Sequence, residues 1–160
     1  MSGHTLVVLR HAKSGYPQGV DDVDRPLADR GRRDAPAAGR WLRANAPAID
    51  LTVCSPATRT RQTWQLVAAE LGGAPAFRVD DRIYTASVDD LLDVVHDLPA
   101  DAGVVLLIGH DPGVSDLVHV LTGDTFAFKT SSVAVLSGPA NWPAFGVDRA
   151  ELALAETPRG

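Results

Sequence analysis

Arg10 and His11 follow a continuous apolar run, Thr5-Leu-Val-Val-Leu9. Ser55 follows a second run, Leu51-Thr-Val-Cys54, with Arg59 one helical turn beyond. Gly109 and His110 follow a third, Val104-Val-Leu-Leu-Ile108. Runs of this kind read as strands buried on both faces, and in open α/β sheets ligands bind outside the carboxyl ends of the strands. Folding would then gather two histidines and two arginines on one rim. That set suits phosphoryl chemistry. A guanidinium fork matches phosphoryl oxygens bidentately and stays charged. A neutral imidazole is a competent nucleophile toward phosphorus. A second, protonated imidazole can donate to an equatorial oxygen as charge develops. Two arginines and an imidazolium supply the positive charge, so this reading calls for no metal and no other cofactor.

The elements that must position these residues alternate. After the first strand comes a Gly-, Pro- and Asp-rich loop, Ala12 to Pro26, then a helical segment from about Asp29 to Ala44 with Ala35, Ala38 and Leu42 on one stripe. Pro36 inside it removes a helix hydrogen bond, so a kink there, or a start near Asp34, is expected. Pro56 opens a helix to about Leu71, stopped by Gly72-Gly73. Phe77-Arg-Val reads as a short strand. Ser87-Val-Asp-Asp90 reads as a capping-box variant leading a helix to about Leu98. Asp111-Pro112 can cap a helix from about Gly113 to Leu121, and Ser132 to Ser137 and Glu151 to Leu154 read as late strands. The order β, α, β, α, α, β, α, β predicts a three-layer α/β/α sandwich with a mostly parallel central sheet and helices on both faces.

Composition narrows the function classes. A length of 160 residues predicts one domain spanning 1–160. Hydrophobic residues are 45% and charged residues 22%, an ordinary globular balance. The net charge is −5, so no global basic field draws in nucleic acid or an anionic membrane. No apolar run approaches the roughly 20 residues of a membrane span, and Met-Ser-Gly-His lacks a basic leader segment. The one cysteine, Cys54, can make no internal disulfide. The expected location is the cytoplasm.

The three strand-end blocks carry a family resemblance. Leu9-Arg10-His11-Ala12-Lys13-Ser14 resembles the first signature of the histidine phosphatase superfamily, also called phosphoglycerate mutase-like. Ser55-Pro-Ala-Thr-Arg59-Thr-Arg-Gln62-Thr63 resembles the second, and Gly109-His110-Asp111-Pro112 the third. The short length and Asp24-Arg25-Pro26-Leu27 resemble the SixA-type branch of small phosphohistidine phosphatases. The resemblance runs from about residue 5 to residue 137. It implies that His11 is the phosphorylated nucleophile, that Arg10 and Arg59 clamp the phosphoryl oxygens, and that His110 is the second histidine of the phosphate pocket. Arg25 would add a further contact, and Lys13 and Ser14, close behind the nucleophile, are candidates to line the pocket.

Many relatives use a mid-chain Glu to protonate the leaving group. Here the only glutamates are Glu70, Glu151 and Glu156, none where that acid is expected. This departure speaks against sugar-phosphate mutase activity and for a phosphoramidate, whose P–N bond is labile. Asp21, Asp22, Asp24 and Asp89 are the remaining acid candidates. The expected substrate is phosphohistidine on a protein. Two alternatives stand beside it: a broad small-molecule phosphomonoesterase acting on phosphorylated metabolites, and a non-catalytic phosphate-binding adaptor on the same fold. The bland readings leave His4, His96, His119 and Arg61 at the surface, Trp41 and Trp64 in packing, and Asp21-Asp22-Val-Asp24 as a solvated loop rather than a cation site.

Overall fold

A strand that is apolar at every position needs cover on both faces of its sheet. In the computed structural model that cover exists. It describes residues 3–73 and 75–160; Met1 and Ser2, part of the stretch read for a leader, lie outside that range, as does Ala74. The elements in order are β1 (Thr5–Arg10), α1 (Asp29–Asn45), β2 (Leu51–Cys54), α2 (Thr58–Ala68), β3 (Ala76–Val79), α3 (Val88–His96), β4 (Val104–Gly109), α4 (Gly113–Thr122), β5 (Val133–Ser137) and β6 (Glu151–Glu156). Successive strand residues point to opposite faces. Leu6 and Val8 of β1, with Val105 and Leu107 of β4, pack against Leu91, Val95, Val114 and Leu117 of α3 and α4. Val7 and Leu9, with Leu106 and Ile108, pack against Ala38 and Leu42 of α1 and Trp64 and Val67 of α2. The expected three-layer sandwich is what forms.

The six strands run in the order β3-β2-β4-β1-β5-β6. The pairs β2–β3, β2–β4 and β1–β4 are parallel, while β1–β5 and β5–β6 are antiparallel. Register decides where the chemistry lands. Arg10 pairs with Gly109, and Cys54 with Ile108. The residues that follow each strand, His11, His110 and Ser55, therefore emerge at one edge. No helix among the described residues is long and apolar enough to cross a membrane.

The helix α1 takes nearly the bounds read from the sequence, Asp29–Asn45, and does not wait for Asp34; Pro36 lies inside it. Tertiary contact outweighs the lost hydrogen bond. At Gly31 a Cβ would stand 2.1 Å from the Lys13 carbonyl oxygen, and at Gly39 one would stand 2.7 Å from that of Val67. Both glycines let α1 sit directly on neighbouring backbone. The helix α2 starts at Thr58 rather than Pro56. The Ser55 hydroxyl instead closes a turn by accepting from Ala57 N at 3.2 Å. The capping box at Ser87 and Asp90 forms as read. Asp111 does not cap α4; its carboxylate accepts from the Ser115 hydroxyl.

Candidate active site

The two histidines meet at the carboxyl edge of β1 and β4, with ring centroids 5.2 Å apart. His11 is buried, and its Nδ1 lies 2.7 Å from the carbonyl oxygen of Ala12. A carbonyl only accepts, so Nδ1 carries the proton and Nε2 keeps its lone pair. Burial, together with the charges of His110, Arg59 and Arg10, outweighs the hydrogen bond to Ala12 and lowers the His11 pKa to about 3. Thr63 of α2 braces this turn: its hydroxyl accepts from Ala12 N at 3.0 Å and donates to Arg59 O at 2.7 Å.

His110 is fixed by two contacts. Arg59 Nη2 lies 3.3 Å from Nδ1, and Ser55 Oγ lies 2.7 Å from Nε2. A guanidinium only donates, so Nδ1 is the acceptor and Nε2–H points to Ser55. Burial, then the Arg59 charge, lowers the His110 pKa to about 4. Burial and the Arg59 charge thus work against the protonated second histidine expected from the sequence. The adjacent guanidiniums, not an imidazolium, supply the positive charge.

Three arginines gather around the rings. Arg10 donates through Nη1 to the Phe128 carbonyl at 2.9 Å. Arg59 donates to the Asp22 carbonyl at 2.7 Å and to its carboxylate at 3.2 Å. Arg25 donates to Ser14 Oγ at 2.6 Å, stands 3.5 Å from the Asp22 carboxylate, and lies 3.9 Å over the Tyr16 ring. The Nε of each of the three is buried without a partner among the described residues. Ser14 thus reaches the cluster through Arg25. The Lys13 side chain is exposed and forms no ion pair with the described residues; its backbone carbonyl accepts from Ala28 N at 2.9 Å.

Of the four acid candidates, only Asp22 touches this cluster. Asp21, Asp24 and Asp89 are exposed and pair with none of its side chains. Asp22 accepts from the Tyr84 hydroxyl at 2.6 Å, and that bond, with Arg59 and Arg25, holds its carboxyl below the usual range. An ionised group cannot donate a proton, so Asp22 is an anchor for arginines in this state. Glu70, in the turn after α2, pairs with Arg40 of α1 at 2.8 Å. Tyr84, edge-on to His110 at 5.7 Å, has no signature in the sequence and was missed, as was the Phe128 carbonyl. A cavity of about 220 Å³ opens beside His110, lined by Ile83, Thr85, Ala86 and Pro112. A larger recess of about 490 Å³ lies at the opposite end of β2, near Arg43, Ile49 and Asp50, where the chain offers no such chemistry.

Comparison with known proteins adds the family. The model of the histidine phosphatase superfamily (branch 1) matches residues 6–90. This chain belongs to that superfamily. Within it the chain is of the SixA type. The SixA protein of Nakamurella multipartitia, a candidate phosphohistidine phosphatase, is 38% identical with a TM-score of 0.85, over 97% of this chain and 96% of that one. Its counterpart from Agrobacterium tumefaciens is 25% identical with a TM-score of 0.84, over 99% and 100%. An uncharacterized Mycobacterium tuberculosis protein, Rv1276c, is 41% identical over 145 residues, 84% of this chain and 89% of its own length. The matched stretch contains Arg10, His11 and Arg59 and ends before His110.

Proposed function

We propose that this chain is a metal-independent phosphatase that forms a phosphohistidine on His11 and removes phosphate from phosphohistidine on a protein, in the cytoplasm. The observation that carries the proposal is the His11 tautomer: Nδ1–H is given to the Ala12 carbonyl, leaving Nε2 as the nucleophile near the Arg10 and Arg59 guanidiniums. The unpartnered Nε donors of Arg10, Arg25 and Arg59 are what phosphoryl oxygens would satisfy.

The reaction has two in-line steps. The Nε2 lone pair attacks phosphorus and forms a P–N bond while the bond to the leaving group breaks. The His11 ring becomes cationic, keeps its Nδ1 proton, and is stabilised by the Ala12 carbonyl. Water then attacks phosphorus, the P–N bond breaks, and His11 leaves as the neutral ring while water gives its proton to solvent. Arg10 and Arg59 hold the phosphoryl oxygens through both steps, and His110 donates from Nε2 once a phosphoryl oxygen replaces Ser55 as its acceptor.

The substrate class follows from the leaving group. A phosphohistidine protonated on its free ring nitrogen departs as neutral imidazole and needs no proton from the enzyme. An alkoxide does, and the acid candidate within reach, Asp22, is ionised. The SixA likeness supports the same class. The test is turnover of a phosphohistidine-bearing protein against a phosphate monoester, each with His11→Ala as control. The expected result is preference for the phosphohistidine protein and loss of both activities in the variant. A small phosphorylated metabolite turned over far better than any phosphohistidine protein would overturn the substrate.

A further inference from the structure

Asp34 is an acidic residue on the buried face of α1, with Ala35 and Ala38 beside it, and it is 2% exposed. Buried carboxylates are kept only when paired. Its partners come from 125 and 126 residues away: Arg159 Nη1 at 3.2 Å and Gly160 N at 3.0 Å, with Arg30 Nε at 3.3 Å completing the set. The same Arg159 nitrogen donates to the Thr130 carbonyl at 2.7 Å. Nearby, the Thr157 and Ser132 hydroxyls are 2.7 Å apart. The segment after β6 is therefore tied to α1 and to the irregular stretch before β5.

That stretch is a wall of the candidate site. Its Phe128 carbonyl holds Arg10, and Ser131 N lies 3.2 Å from Arg10 O and 3.1 Å from His11 O. Ser131 sits at a φ of 65°, a conformation that L side chains adopt only when neighbours impose it. The imposing neighbours are the contacts just named, to β1 on one side and to the tail on the other.

We infer that Arg159, anchored on Asp34, is a positioning residue for the oxyanion pocket, holding the 128–132 stretch so that the Phe128 carbonyl seats Arg10. This rests on the pocket binding a phosphoryl group, as proposed above. Arg159 touches no substrate and acts through the wall.

Isothermal titration with inorganic phosphate tests this on wild type, Arg159→Ala, Arg10→Ala and the double variant, alongside thermal melts. The expected result is about tenfold weaker phosphate binding for Arg159→Ala, within the usual range of coupling energies, and no further loss when it is added to Arg10→Ala. Thr157→Val, which removes one tail contact without uncovering Asp34, should weaken binding in the same direction and serves if Arg159→Ala does not fold. Arg159→Lys should restore part of the affinity. Unchanged phosphate affinity with a lowered melting temperature would overturn the inference, because the clamp would then be structural only. An undiminished loss in the Arg10→Ala background would also overturn it. Wild type that binds phosphate but turns over no phosphoryl donor would overturn the proposed function and leave this inference standing; wild type that binds no phosphate would overturn both.

Discussion

Arg59 Nη2 lies 3.3 Å from Nδ1 of His110, and this one contact fixes the second histidine's proton on the nitrogen nearest Ser55. It also sets the charge of the site. A guanidinium that close opposes protonation of the ring, and burial opposes it more strongly. The free site is thus two neutral imidazoles in a field of arginines, poised for an anion.

The pH profile follows. With His110 lowered to about 4 and His11 to about 3, kcat/KM for a phosphohistidine protein should stay level from neutral pH to about 5 as far as the free enzyme governs it, then fall. An acid limb centred near 6.5 would contradict the burial of both rings. A rate that stays level into strongly acid solution would contradict a neutral His11 as the nucleophile.

Stability carries the same sign. Both histidines take up protons at ordinary pKa in the unfolded chain but resist them when folded. The unfolded state therefore binds more protons below about 6.5, and stability falls as pH drops, by up to about 1.4 kcal/mol per pH unit for each ring until its folded pKa is reached. Urea midpoints from pH 7 to pH 5 should decline, and His11→Ala should flatten part of the slope.

Removing a clamp should cost far more than removing a rim group. Arg59→Ala or Arg10→Ala should lower kcat/KM by about 10² to 10³, the usual loss for one preorganised donor to a developing oxyanion. Arg59→Lys should recover little, because a lysine cannot reach both Asp22 and His110 with a rigid fork. Steady-state kinetics on one phosphoramidate decides it; a fall of less than threefold in either alanine variant would be inconsistent with the clamp.

Tyr84 tests the anchor. Tyr84→Phe removes the hydroxyl donated to Asp22 at 2.6 Å and leaves the ring against His110. The Asp22 side chain is 53% exposed, so the effect is screened. The expected outcome is a loss below about tenfold in kcat/KM, mostly through KM, since Arg59 keeps its bond to the Asp22 carbonyl. A larger loss confined to kcat would mean that Tyr84 acts on the reacting groups themselves.

Much of this architecture was legible because apolar runs that end in Arg-His, Ser and Gly-His announce buried strands and a common edge. Ser14 could be named because it follows the nucleophile closely, and Arg25 through the resemblance of Asp24-Arg25-Pro26-Leu27 to the SixA-type branch. Lys13 could be named because it too follows the nucleophile closely, yet its side chain is exposed while its carbonyl accepts from Ala28 N. The span of α1 was legible, but not that it would start ahead of Asp34 despite Pro36, because propensity is local and the close approaches at Gly31 and Gly39 are not. The Phe128 carbonyl leaves no side-chain trace at all. Asp34 and Arg159 look like two surface charges until folding brings them together across 125 residues.

The proposed reaction stands on a covalent phosphoryl group on His11. Rapid mixing with a phosphoramidate donor in EDTA, a non-acidic quench and intact-mass measurement test it directly, with His11→Ala in parallel. The expected result is a transient gain of one phosphoryl group on wild type, lost on brief acid treatment and absent from the variant. A phosphoryl group that survives acid, or that appears equally on His11→Ala, would contradict it.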